Sequence, residues 1–202
     1  MIKKALSISI CAFTLLFTSV PAYAEENAVE DTAEQIVEEI DGEIISPEDV
    51  PEGVTPIEFD SVEEAREFIE ASEEALDNAE LKVESANSVK YGYGLLAANS
   101  NTVTKKARYN LNGLGIQFIN IMATCSVKSN TFLSVSSVTS SYTGVTQGSE
   151  WTQDTYSSSI SPNRKRLDVT VYGHMDYYLV VKSTYTKIGS TNHELPVAWT
   201  YQ

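Results

Sequence analysis

The feature that most constrains the fold is a period-two alternation of apolar and polar residues in the C-terminal half of the chain. In 115–127, alternate positions from Ile119 to Val127 are apolar, and 166–175 and 195–201 repeat this pattern. Successive side chains of a β-strand point to opposite faces, so the alternation indicates half-buried strands. Further β-rich or alternating segments are 103–110, 131–139, 150–160 and 177–186.

Turn signals separate these strands, and no helical pattern lies between them. The signals are Asn112-Gly113, Thr143-Gly144, Gln147-Gly148, Ser161-Pro162-Asn163 and Gly189-Ser190. Short strands at this spacing are typical of an antiparallel sandwich or a small barrel. We therefore predict a mainly β protein in which residues 91–202 form an antiparallel β-sandwich of about seven strands.

The charges divide the chain near residue 90. Residues 25–90 hold 23 acidic and three basic residues, a net charge of −20, whereas 91–202 hold nine basic and five acidic residues, a net charge of +4. A segment with so much net charge and few aromatic residues buries too little apolar surface to offset its ordering entropy. We expect 25–56 to be an acidic disordered segment and 57–90 to be an acidic region containing a helix.

The helix is predicted over 61–80. Ser61 and Glu64 form a capping box at its start. Apolar residues then recur at a 3.6-residue period on one face, and acidic residues cover the other face. The apolar stripe fits docking on a partner surface, and a solvated spacer is the alternative.

Residues 1–24 have the pattern of a secretory signal peptide. Lys3 and Lys4 precede an uncharged run over 5–20, and Ala22 and Ala24 supply the small–x–small pattern of a cleavage site. A membrane-spanning helix needs about 20 apolar residues, so this run is too short for an anchor. We predict a secreted, extracellular protein, associated with the cell wall or free, whose mature chain has no transmembrane span.

The sequence offers no catalytic or metal-binding constellation. The histidines, His174 and His193, lack the ligand spacing of a zinc site, and no Gly-x-Ser-x-Gly elbow is present. Signal cleavage leaves Cys125 on the apolar face of a strand, where a free thiol behaves as a small buried hydrophobe. We expect no enzymatic activity, no cofactor and no metal, with a hydrolase as the least favoured alternative.

Two basic clusters are the main candidates for binding. They are Arg164, Lys165 and Arg166, at a predicted hairpin tip, and Lys105, Lys106 and Arg108. Cations capture phosphate by charge and hydrogen bonding. The expected partner is therefore an anionic cell-wall polymer such as a teichoic acid, or an anionic lipid, and the structural alternative is ordinary turn solubility.

Aromatic residues suggest a second mode of binding. Trp151 and Tyr156 are candidate platforms on which a carbohydrate would stack. A net charge of +4 and an extracellular location do not favour nucleic acid as a partner. The charge division also allows a different function, a secreted antibacterial or membrane-active protein whose acidic segment is an inhibitory pro-region, and the oligomeric state stays open.

The layout resembles small secreted proteins of unknown function from low-GC Gram-positive bacteria. The resemblance covers about 55–202. It is carried by Phe59-x-Ser61-x-Glu63-Glu64-Ala65-x-x-Phe68, by Gly144, Gly148 and Trp151, by a Tyr172-Gly173…Tyr177-Tyr178 hairpin, and by Trp199-x-Tyr201. It implies a secreted β-sandwich-like module and brings no catalytic residues.

Overall fold

A computed structural model describes residues 33–90, 100–111, 117–189 and 192–202, without the side chains of 85–90. The described elements belong to one unit, Asp31–Gln202. In chain order they are α1 (Ala33–Glu39), β1 (Glu43–Ile44), a 3-10 turn (Pro47–Asp49), β2 (Ile57–Phe59), α2 (Val62–Asp77), β3 (Glu80–Lys90), β4 (Asn101–Asn110), β5 (Gln117–Lys128), β6 (Thr131–Gly144), β7 (Ser149–Ile160), β8 (Arg166–Val181), β9 (Thr184–Gly189) and β10 (His193–Thr200).

The first sheet is built around β8, which is 16 residues long and has two partners on each side. On one side, β10 pairs with its first half and β9 with its second half, and β1 extends the sheet beyond β9. On the other side, β7 pairs antiparallel along most of β8, and the short β2 pairs parallel with its end.

The second sheet is an antiparallel meander in the order β3-β4-β5-β6. Ser129 and Asn130 form the turn between β5 and β6, and both have positive φ, as a tight type I′ hairpin requires. Two bonds tie this sheet to β10 of the first sheet. The Trp199 Nε1–H donates to the Lys106 carbonyl at 3.2 Å, and the Tyr109 hydroxyl donates to the Pro196 carbonyl.

The core lies between the two sheets and follows the alternation of the sequence. Odd-numbered residues of β8 from Leu167 to Val171 and of β5 from Ile119 to Cys125 are almost completely buried. The even-numbered residues of these stretches are partly or fully exposed on the outer faces. The predicted mainly β, antiparallel sandwich is confirmed: seven described strands, β4 to β10, lie within 91–202, and the acidic region adds β1, β2 and β3.

The acidic N-terminal region contributes to this fold, where the sequence predicted disorder over 25–56 and a β domain starting at 91. Ile36 of α1 is 1% exposed, and β3 begins at Glu80 as a full member of the second sheet. A few well-placed apolar side chains therefore anchor a segment whose average composition is highly charged. The structure corrects the predicted boundaries on these points.

Helix α2 covers the part of the β8 core face that lies near its end. The Phe68 ring packs edge-on against Tyr177, with centroids 6.0 Å apart, and Val62 and Ala65 are buried. The Ser61 hydroxyl caps the helix by accepting from the Glu64 N–H at 3.2 Å. The docked stripe thus has an intramolecular partner.

The structure also corrects the predicted break near Gly173. Residues 166–175 and the start of 177–186 form the single strand β8. Gly173 lies within this strand, and the Trp151 ring occupies the space that a side chain at Gly173 would fill. The hairpin turn lies instead at Lys182 and Ser183, both with positive φ. The signal peptide 1–24, with Ala22 and Ala24, lies outside the described residues.

Candidate anion-binding site

Three chain segments meet at one end of the sandwich. The Phe132 N–H, just after the β5–β6 turn, donates to the Arg164 carbonyl in the β7–β8 turn at 2.8 Å. The Tyr201 N–H, just after β10, donates to the Lys165 carbonyl at 2.8 Å. The Phe132 and Tyr201 rings pack with centroids 4.7 Å apart. We call the cations that this junction gathers, Lys128, Arg164, Lys165 and Arg166, the basic end.

The β7–β8 turn is fixed by its own hydrogen bonds. The Ser161 carbonyl accepts from the Arg164 N–H at 2.8 Å, and the Ser161 N–H donates to the Arg166 carbonyl at 2.9 Å. The Asn163 side-chain oxygen accepts from the Lys165 N–H at 3.1 Å and from the Ser161 hydroxyl at 2.7 Å. Because the turn is already ordered, a ligand that binds there does not have to order it.

Arg164 is an exposed cation of this turn. Its φ of 58° lies in the left-handed region, which favours glycine and costs other residues about 1–2 kcal/mol. Its side chain is exposed and has no partner among the described residues. The fold therefore presents a free guanidinium at a position where glycine would be less strained.

The other cations of the basic end differ in their engagement. The Lys165 ammonium donates to the Gln202 backbone oxygen at 3.3 Å, and Lys128 is exposed. Arg166 Nε donates to Asp168 at 2.7 Å, and this hydrogen bond together with the carboxylate charge raises the pKa of Arg166. Asp168 is the only acidic residue in the sequence segments 101–105, 126–134, 160–168 and 199–202, so positive charge dominates this end.

Lys105 lies beneath the basic end rather than on its surface. It is 6% exposed, and its ammonium is 4.1 Å from the centre of the Tyr201 ring. Burial lowers the pKa of Lys105. The neighbouring Cys125 is fully buried, and burial raises its pKa to about 11, although Lys105 acts in the opposite direction. The expectation that Cys125 is a buried hydrophobe is confirmed.

The second predicted cluster is divided by the pleat of β4. Lys105 points into the sandwich, whereas Lys106 and Arg108 lie on the outer face of the second sheet. Lys106 is exposed, and the Arg108 guanidinium lies 4.5 Å from the centre of the Phe118 ring. Neighbouring positions on a strand point in opposite directions, so these three cations cannot act as one patch.

The two candidate stacking residues have different surroundings. Trp151 is only 9% exposed, its Nε1–H donates to the Ser140 hydroxyl at 2.8 Å, and its ring packs over Gly173. It is a core residue and cannot stack on a carbohydrate. Tyr156 is 39% exposed.

The two histidines do not converge. His193 is the ladder partner of Gly173 and faces the core side of the first sheet, where its Nδ1 is 3.8 Å from Asp77. His174 is one residue along β8 and faces the outer side, with Nδ1 3.1 Å from Asp154. A hydrolytic site using both histidines is excluded by this geometry. Within the described ranges, no group of three or more potential ligands is placed to hold a metal ion.

A small cavity adjoins the basic end. Its volume is about 230 Å³, and its lining residues are Leu133, Ile160, Ser161, Pro162 and Arg164. Sequence reasoning missed Lys128 and Leu133, which lie on a different hairpin from Arg164. Their closeness in sequence to the Ser129-Asn130 turn is the one feature that would have placed them at the end of a hairpin.

Comparison with protein-family models, curated proteins and solved structures gave no match. In the part of the chain that the structure describes, neither helix combines the length and apolar character needed to cross a membrane.

Proposed function

We propose that this protein is a secreted, non-enzymatic binding protein that captures an anionic cell-wall polymer at its basic end. The observation that carries the proposal is the pair of backbone hydrogen bonds at Phe132 and Tyr201, which fix the turn bearing Arg164 against two other chain segments. Four cations lie on the segments that meet there, and Asp168 is the only acidic residue in those sequence segments. Such a surface attracts and binds phosphate groups.

The acidic helix does not neutralise this surface. Helix α2 carries seven acidic residues and contacts β8 near Tyr177, whereas the basic end lies at the start of β8, at Arg166. Eleven residues of extended strand separate these two positions by roughly 35 Å. The Debye length at physiological ionic strength is about 8 Å, so the two charges act independently.

The integration of the acidic region disfavours the alternative of a removable inhibitory pro-segment. Ile36 is buried, and β3 supplies one of the four strands of the second sheet. Removing residues 25–90 would expose the core at β4. We therefore assign the acidic region a structural role, with its charged surface directed to solvent.

The proposal is tested by sedimenting the protein with isolated Gram-positive cell walls. We expect cosedimentation that is lost after hydrofluoric acid removes phosphodiester-linked polymers, and that ~0.5 M salt weakens by screening. Equal binding to treated and untreated walls would contradict the proposal. Mass spectrometry of the culture medium tests export separately, because cleavage after Ala24 predicts a mature chain beginning at Glu25.

A further inference from the structure

Strands β6 and β7 are neighbouring edge strands that do not pair with each other. Among the described strands, β6 pairs only with β5, and β7 pairs only with β8. Side-chain hydrogen bonds bridge them over Ser149–Gln153 of β7, and the turn after β7 is bonded to the start of β6. Gln153 Nε2 donates to the Val138 carbonyl at 3.2 Å, and the Phe132 N–H donates to the Arg164 carbonyl at the far end. Along 154–160 of β7, no hydrogen bond reaches a described residue of β6.

Tyr156 lies in this stretch of β7. Its ladder partner is Val171, a fully buried residue on the core face, and ladder partners share a face. Tyr156 is nevertheless 39% exposed. Ser158, opposite the buried Val169, is exposed in the same way. The core-facing side of β7 is therefore uncovered here, and an aromatic ring and a hydroxyl line the resulting cleft.

The cleft leads to the cavity at the basic end. Ile160 follows Tyr156 and Ser158 on the same face of β7 and lines the cavity of about 230 Å³. Leu133 and Pro162 supply further apolar wall, and Arg164 also lines this cavity. We call this surface, from Tyr156 to Arg164, the Tyr156–Arg164 cleft.

We infer that the Tyr156–Arg164 cleft recognises a phosphodiester-linked polyol chain, which names the polymer class for the proposed binding function and rests on it. The planar guanidinium of Arg164 matches two phosphate oxygens. The carbon surface of a polyol packs on Leu133, Pro162 and the Tyr156 ring, and its hydroxyls reach serine side chains. Pockets for drug-sized ligands have volumes of about 300–1,000 Å³, so this smaller cavity fits one repeating unit.

Calorimetric titration of the full chain with four probes tests this inference. The probes are a glycerol phosphate oligomer, dextran sulfate of matched charge, phosphatidylglycerol vesicles and inorganic phosphate. We expect the oligomer to bind at least about tenfold more tightly than each of the others. Tighter binding to vesicles would assign the surface to lipid and overturn the inference. Equal binding to inorganic phosphate would show that the polyol adds nothing to the affinity, and it would also overturn the inference.

Variants separate the cleft from general charge attraction. Arg164→Lys keeps the positive charge but loses the planar guanidinium that can bond two phosphate oxygens at once. We expect it to reduce the preference for the oligomer over dextran sulfate by about tenfold. Tyr156→Ser is expected to weaken oligomer binding without changing dextran sulfate binding. Arg164→Gly should bind both polymers more weakly than the unmodified protein does. It should also unfold at the same temperature or higher, so the weaker binding would not result from a loss of folded protein.

The outcomes distinguish this inference from the proposed function. If the unmodified protein binds the oligomer and dextran sulfate equally, the basic end is a general anion-binding surface and the cleft inference fails alone. If it binds neither polymer, both fail. If Tyr156→Ser weakens the binding of both polymers to the same degree, Tyr156 has no specific contact with a polyol, and the cleft inference is overturned.

Discussion

The main-chain N–H of Phe132 donates a 2.8 Å hydrogen bond to the carbonyl of Arg164, although the two residues lie on different hairpins. This bond fixes the backbone of Arg164 while its side chain stays exposed. The residue is thus held in a left-handed conformation by its surroundings, with φ of 58°. Stability and binding should therefore respond in opposite directions to substitution at this position.

Replacing Arg164 with glycine should stabilise the protein. Relief of the left-handed strain is worth about 1–2 kcal/mol, and the greater freedom of glycine in the unfolded chain removes about 0.5–1 kcal/mol of that gain. We expect Arg164→Gly to raise the free energy of unfolding by about 0.5–1 kcal/mol in urea titration. Arg164→Ala keeps the strain and should give no such gain, so equal stability of the two variants would contradict this explanation.

Replacing Gly173 with alanine should destabilise the protein. A Cβ at this position would lie 2.5 Å from the Trp151 ring and would also meet the backbone carbonyl oxygen of Thr152 on the paired strand β7. Overpacking of this kind costs about 1–3 kcal/mol or more. In Gly189→Ala, the nearest atom is 3.5 Å away in the Asp176 side chain, so chemical denaturation should detect a change within about 0.5 kcal/mol. If Gly173→Ala left stability unchanged, the Trp151 ring could not occupy the space beside Gly173.

Truncating Ile36 tests whether the acidic region is part of the fold. Ile36 is 1% exposed in α1, and removing a buried Ile side chain typically costs about 2–5 kcal/mol. Ile44 in β1 is 50% exposed, so Ile44→Ala should change stability by no more than about 0.5 kcal/mol. Thermal or urea unfolding of both variants gives the comparison, and equal small effects would show that α1 does not pack on the domain.

The buried thiol of Cys125 predicts a dependence of stability on alkaline pH. Burial raises its pKa from 9.0 to about 11, so the folded protein retains a proton that the unfolded chain releases near pH 9. The stabilisation that this thiol contributes is complete below pH 9 and is lost as pH rises through about 11. The stability advantage of the unmodified protein over Cys125→Ala should therefore shrink across this range. A constant difference would mean that the thiol titrates normally.

Period-two patterning was sufficient to predict the sandwich and much of the core. Leu167, Val169 and Cys125 are buried as the alternation requires. The turn at Lys182-Ser183 was not predictable, because neither residue is among those that favour positive φ most strongly. At Gly173 the sequence predicted a turn where the structure has none. The missing side chain of this glycine makes room for the Trp151 ring.

The candidate site was partly predictable for a similar reason. The three consecutive cations Arg164, Lys165 and Arg166 do lie at a hairpin tip. Their junction with the strand that begins at Thr131 depends on a contact between distant segments, which local patterning does not contain. Lys105 was grouped with its sequence neighbours, but the pleat turns it into the interior.

The proposed function requires that the basic end, rather than positive charge in general, binds the anionic wall polymer. Lys128→Gln/Arg164→Gln removes two cations from this end, and Lys82→Gln/Lys106→Gln removes two exposed cations from the second sheet, so the two variants have equal net charge. The most direct measurement is their affinity for isolated cell walls at low salt. We predict a loss of at least about tenfold for the first variant and little change for the second. Equal losses in both variants would contradict the account.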